Sequence, residues 1–235
     1  PKSTPRSEAR HPHNLRLEEK FDMAVSLKKG QGISLRKDEF DLSSVTIGLG
    51  WDVATESRGL LKSLFMKKEE DYDLDAIAFL LGRHGKVQDL GHDGAGNATL
   101  VNSDVIFFNN LRHPSGAIWL TGDNRTGDGD GDDEQIIVRL NDLHARYESI
   151  IFVVSIYQGK EKSQSFGKVS NAFIRAVDAR GKEICRYNIS GDASYSQYRS
   201  MTFAQVSRQG GAWEFRAIGT PHETDRFVDV LKNYI

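Results

Sequence analysis

The chain has 235 residues, 38% of them hydrophobic, and a formal net charge of −2. That length suffices for one large domain or two small ones, and the near-neutral charge excludes the strong basic excess of a general nucleic-acid binder. A single cysteine, Cys185, rules out an internal disulfide, no apolar run reaches the ~18 residues of a membrane span, and no apolar leader opens the chain, so a soluble cytoplasmic protein is expected.

Residues 1–22 are polar, hold three prolines and show no sustained period, which predicts a disordered N-terminal extension. A folded unit is expected over 23–235. It opens with strand-like "AVSLKKGQGISLRK" and continues with "SVTIGLGWD" (44–52), whose β-branched residues run into a turn. Residues 53–72 follow as a basic amphipathic insertion. Leu60, Leu61, Leu64 and Phe65 fall on one helical face, with Arg58, Lys62, Lys67 and Lys68 around them. Such a segment either meets an anionic membrane surface or partner, or packs its apolar side on the domain.

Further strands are expected at "DLDAIAFLL" (73–81), "SDVIFFNN" (103–110) and "EQIIVRL" (134–140). "SIIFVVSIY" (149–157) is a continuous apolar run, the pattern of a strand buried on both faces. Four more short strands, "NAFIRAVD", "EICRYNIS", "SMTFAQVSR" and "AWEFRAIG", are punctuated by glycine turns. Helical spacing marks "LNDLHARYE" (140–148) and the C-terminal "HETDRFVDVLKNYI" (222–235). Many short strands with regular turns predict a mainly β protein, a two-sheet sandwich with a few short helices including one at the C-terminus.

The segment "GDNRTGDGDGDDE" (122–134) concentrates six carboxylates: Asp123, Asp128, Asp130, Asp132, Asp133 and Glu134. Two unit charges 4 Å apart repel by roughly 4 kcal/mol at an effective dielectric near 20, so the loop is either spread out in water or neutralised by a cation. Carboxylates, amides and backbone carbonyls are hard oxygen donors, suited to Ca2+ or Mg2+, and the absence of His and Cys from the loop argues against zinc or copper. Glycines 127, 129 and 131 allow the sharp turns that aim carbonyls inward. It is not an EF-hand: starting that pattern at Asp128 puts Asp133 where glycine is needed and Arg139 where glutamate is needed. Asp73 and Asp75 share a strand face, Asn109 and Asn110 end a strand, and Asp52 follows "GLGW"; loops of a sandwich cluster at its ends, so these are further oxygen ligands for one rim.

Taken in order, "VSLKKGQGISL", "GLGWD", "DLDAIAFLL", "SDVIFFNN", "GDNRTGDGDGDDE", "GKVSNAFIRAVD" and "WEFRAIG" resemble the TerD-type tellurium-resistance proteins. The resemblance runs from about Ala24 to the C-terminus and is carried most specifically by the acidic segment. It implies a cytoplasmic, calcium-binding β-sandwich tied to tellurite resistance and general stress response, holding two Ca2+ ions in its acidic end loops. Its implied metal ligands are Asp73, Asp75, Asn109, Asn110, Asp123, Asn124, Asp128, Asp130, Asp132, Asp133 and Glu134, with backbone carbonyls of Gly127 and Gly129. Implied partners are other stress or tellurite-resistance proteins, membrane-associated ones included, with a location in the cytoplasm or at the membrane periphery; no nucleic acid and no transmembrane segment are expected. The 1–22 extension and the length of 53–72 depart from the common pattern.

No catalytic residue stands out. G-x-S-x-G and GxxxxGK[ST] are absent, and the histidines at 84, 92, 113, 144 and 222 are scattered. Cys185 lies inside a strand pattern and reads as a small buried hydrophobe. The alternative function is a metal-dependent hydrolase, or another enzyme using the acidic cluster.

Overall fold

The computed structural model describes residues 24–53, 72–121, 131–189 and 193–235. The expectations placed on 1–22, on the insertion between Val53 and Tyr72, and on 122–130 therefore lie outside the described residues.

Twelve strands form among the described residues: β1 (Val25–Leu27), β2 (Gly32–Leu35), β3 (Val45–Val53), β4 (Leu74–Leu81), β5 (Val105–Ile106), β6 (Ile118–Leu120), β7 (Glu134–Val138), β8 (Ser149–Ile156), β9 (Val169–Val177), β10 (Glu183–Asn188), β11 (Ser200–Gln209) and β12 (Ala212–His222). They make two six-stranded sheets, β1-β10-β9-β3-β7-β6 and β2-β12-β11-β8-β4-β5. β1 pairs parallel to β10; the other pairings are antiparallel. β1 and β2, close in sequence, enter opposite sheets and stitch the sandwich at its start.

The core follows from strand alternation. Leu74, Ala76, Ala78 and Leu80 of β4 point at the first sheet, together with Ile150, Phe152, Val154 and Ile156 of β8. The opposite faces of the same strands carry Ile77, Phe79, Ile151 and Val153 into a second apolar cluster. Helix α1 (Phe227–Leu231) closes this cluster with Val230 and Leu231, while Phe227 and Tyr234 set their rings 6.5 and 5.7 Å from Phe79. β4 and β8 are therefore covered on both faces, which is why both read as unbroken apolar runs. A backbone bond from the Val87 N–H to the Tyr234 carbonyl and a side-chain bond from Lys86 Nζ to the Ile235 carbonyl fasten this C-terminal segment.

Three local expectations are corrected. Residues 140–148 form successive turns rather than a helix (Asp142 N–H to Arg139, Tyr147 N–H to His144). Leu140, Leu143 and Tyr147 do face the core, but Arg208 of β11 takes the carbonyls of Leu143 and Tyr147, so tertiary bonds replace the helical ladder. Of 103–110 only Val105–Ile106 is strand, because the Ser103 hydroxyl and Asn110 amide bond the backbone locally. The C-terminal helix is short because the carbonyls of Thr224 and Asp225 are taken by the hydroxyls of Ser200 and Ser155, leaving α1 from Phe227 and a 3-10 turn, Lys232–Tyr234. Among the described residues no helix is long and apolar enough to cross a membrane.

Candidate metal centre at the acidic end

The acidic segment enters the fold through β7. Glu134 is its first residue and pairs with Leu49 of β3, while Asp133 donates its N–H to the Leu49 carbonyl at 2.8 Å. Three consecutive carboxylates are thereby drawn to one end of the sandwich, and each receives a different environment. The Asp132 side chain is 1% exposed and accepts Arg175 Nε at 2.7 Å. Arg175 also binds Glu183 at 2.8 Å, and the Asp132 carboxylate holds the Arg175 guanidinium above its ordinary pKa. Asp133 Oδ2 accepts the Trp51 N–H at 2.9 Å. Glu134, buried at 2% exposure, crosses to the other sheet, where Oε2 accepts the Ala76 N–H at 2.5 Å.

Glycine makes this seating possible. A Cβ on Gly48 would collide with the Asp132 carboxylate, and one on Gly50 would stand 2.6 Å from the Gly131 carbonyl. The "GLG" of β3 is a backbone floor under Gly131 and Asp132.

Glu134 reaches the β4 backbone from the inner side, at Ala76, whereas Asp75 alternates to the outer face of the same strand. Asp75 is buried at 7% exposure, and Asp73, half-buried, offers its carbonyl to the Tyr157 N–H at 2.8 Å. The other sequence-derived ligands divide. Asn109 is exposed at the tip of the 107–110 turn. Asn110 is buried; its amide donates to the Val105 carbonyl at 2.6 Å and accepts the Asn102 N–H at 3.2 Å, which holds that loop closed. Asp52 is exposed and accepts the Asn171 amide at 2.6 Å. Asp123, Asn124, Gly127, Asp128, Gly129 and Asp130 lie outside the described residues. Among the described residues no three His, Cys, Asp or Glu side chains stand close enough to hold a metal by themselves.

The donors brought to this end are carboxylate oxygens on a glycine floor, a set suited to a hard divalent cation. Buried carboxylates oppose folding unless hydrogen bonds and opposite charge offset their lost hydration. Backbone N–H groups and Arg175 supply part of that offset.

A second polar cluster escaped the sequence reading because its members are scattered along the chain. Asp104, 1% exposed, accepts His113 Nε2 at 3.1 Å and the Tyr147 hydroxyl at 2.5 Å, and its other oxygen takes the N–H groups of Gln88 and Asp89. Burial pushes the Asp104 carboxyl up, but the bonds from His113, Tyr147 and Asp89 outweigh it and hold it below the usual range. Burial, reinforced by Asp104, raises the Tyr147 hydroxyl. Cys185 is fully buried, and burial pushes its thiol up to about 12, which keeps it protonated and inert at neutral pH.

Comparison with known proteins accords with this architecture. Residues 23–234 match the TerD domain. The chain is 62% identical over 213 residues to tellurium resistance protein TerX of Serratia marcescens, covering 91% of this chain and all of that one. It is 36% identical over 214 residues to stress response protein SCP2 of Bacillus subtilis (strain 168), covering 91% of this chain and all of that one. The crystal structure of a Streptomyces coelicolor A3(2) homologue of telluride resistance protein TerD superposes with a TM-score of 0.54 at 23% identity, covering 79% of this chain and 94% of that one, a likeness of fold. With its domain match spanning nearly the whole chain and its sandwich shared, this protein belongs to the TerD-domain family of tellurium-resistance and stress-response proteins.

Proposed function

We propose that this protein is a calcium-binding module of a tellurite-resistance or stress-response system, with two Ca2+ ions bound at the acidic end and a partner recognising the loops they order. The observation that supports it best is the burial of the Asp132 and Glu134 side chains at one end of the sandwich, with Glu134 reaching the Ala76 N–H at the entry of β4. Composition alone leaves such a segment free to stay in water; Asp132, Asp133 and Glu134 are bonded into the sandwich end.

Asp73, Asp75, Asp133 and Glu134 are the described residues that would hold the cation, joined by Asp123, Asp128 and Asp130 of the same motif and the amide of Asn109. When bound, Ca2+ supplies positive charge and six to eight oxygen-coordination positions. The chain's own part is to preposition the oxygens. The Trp51 and Ala76 N–H groups orient the carboxylates of Asp133 and Glu134, and Arg175 holds Asp132 on Gly48. Anchoring the C-terminal end of the acidic segment lowers the entropy lost on closing it round an ion. The expected partner is another stress or tellurite-resistance protein in the cytoplasm or at the membrane periphery.

Calcium titration by calorimetry, paired with thermal unfolding in Ca2+ and in EDTA, tests this. Ligand at 100 times Kd stabilises the native state by about 2.7 kcal/mol. A saturable heat and a raised midpoint are expected, both abolished by Asp133→Asn/Glu134→Gln. A folded protein with no heat and equal midpoints in the two buffers would overturn the calcium reading.

A further inference from the structure

We propose that a cleft on the outer face of the second sheet binds an organic ammonium ion carrying an apolar body. The cleft measures about 680 Å3, the size of small-molecule sites. It lies between the β8-end turn at 157–161 and the start of the C-terminal segment at 225–228, and goes beyond the calcium reading.

Its floor is polar and buried. Asp75 of β4 and its register partner Ser155 of β8 both point out of the sandwich here, at 7% and 2% exposure. Ser155 Oγ donates to the Asp225 carbonyl at 2.8 Å, and Asp225 Oδ2 accepts the Lys160 N–H at 2.7 Å, so the two lips of the cleft are hydrogen-bonded to its floor and to each other. Its walls are aromatic. Phe108 meets Tyr157 edge-on, with centroids 6.0 Å apart, and Phe227 stands 5.0 Å from Phe107 behind them. The Tyr157 ring already carries the Lys162 ammonium 5.5 Å from its centroid, so its π face attracts cations in this setting.

Three carboxylates, Asp75, Asp225 and Glu161, line the cleft against Lys160 and Arg226. Lys160, Glu161 and Arg226 are all exposed, where long side chains turn their heads to water, whereas Asp75 is fixed at the floor. Field and shape thus select a positive head inside and hydrocarbon against the rings. Aromatic rings supply no ligands for a hard metal ion, so the walls have no part in the calcium reading. An ammonium uses both, through the carboxylate and through the ring faces.

The test measures binding of phenethylammonium, neutral 2-phenylethanol and anionic 3-phenylpropanoate to the full chain by calorimetry in EDTA. The ammonium should bind roughly ten-fold or more tightly than either analogue. Tyr157→Ala, at a 39% exposed ring, and Phe227→Ala should each weaken it several-fold. Equal affinities for the three probes, no binding of the ammonium, or an unchanged affinity in the folded Tyr157→Ala protein would overturn the proposal. Because Asp75 is also a calcium candidate, saturating Ca2+ should weaken the ammonium. Loss of calcium binding with the ammonium site intact would sink only the calcium reading, and the converse only this one.

Discussion

Asp132, Asp133 and Glu134 are chemically alike and adjacent, yet one is seated by a guanidinium, one by the Trp51 N–H and one by an N–H of the opposite sheet. Like charges this close are tolerated because each carboxylate meets a different donor that offsets its lost hydration. Gly48 is the residue on which the arrangement turns, since the Asp132 carboxylate occupies the space a side chain would need. Gly48→Ala should therefore destabilise by about 1–3 kcal/mol, the usual cost of overpacking. Urea unfolding measures it; an unchanged midpoint would mean that Asp132 is not held over β3.

At the scale of elements, β4 and β8 are the spine, and what lies on their outer face decides their character. Phe79 is fully buried, at 0% exposure, and α1 and the 3-10 turn after it lay Phe227 and Tyr234 across it. A five-residue helix has little stability of its own, so it forms because Val230 and Leu231 are buried there. Leu231→Ala should cost about 2–4 kcal/mol and expose the outer faces of β4 and β8. Hydrogen exchange at β4 and β8 amides would report it, and protection equal to the parent would show that the helix is dispensable. The same loss should loosen the cleft, one lip of which α1 carries.

For the whole molecule, acid sensitivity follows from groups spread over both sheets. Burial lowers the His222 pKa below its ordinary 6.5, so the folded state resists protonation that the unfolded chain accepts. Its contribution is full above pH 6.5 and is lost as pH falls from there to the depressed folded value. Asp104, Asp178 and Glu183 act lower on the scale. Burial raises each, but hydrogen bonds and neighbouring cations outweigh it and hold all three below the ordinary carboxylate range. Their contribution is present above the unfolded values near 3.8 to 4.5 and is lost as pH falls through the folded ones. Thermal midpoints should therefore decline gently below pH 6.5 and steeply below about 4. His222→Gln should flatten the upper limb alone; a profile flat from 7 to 5 in the parent would refute the assignment to His222.

Sequence by itself determined the class of the fold and the identity of its family. Alternating and continuous apolar runs such as 44–52 and 149–157 are local patterns with a period set by the backbone, so the sandwich was legible in them. The acidic segment was legible as a concentration of charge. What tertiary structure alone decided is which partner each group meets. Arg175 is 43 residues from Asp132, and Ala76 is 58 from Glu134. The Asp104–His113–Tyr147 cluster draws on three separate loops, and β1 and β2 part into different sheets within a few residues. The turns at 140–148 have helical spacing, but Arg208 of a distant strand captures their carbonyls. Periodicity records which face of an element is apolar; it carries no information about what packs on that face, because those contacts are made between residues far apart in the chain.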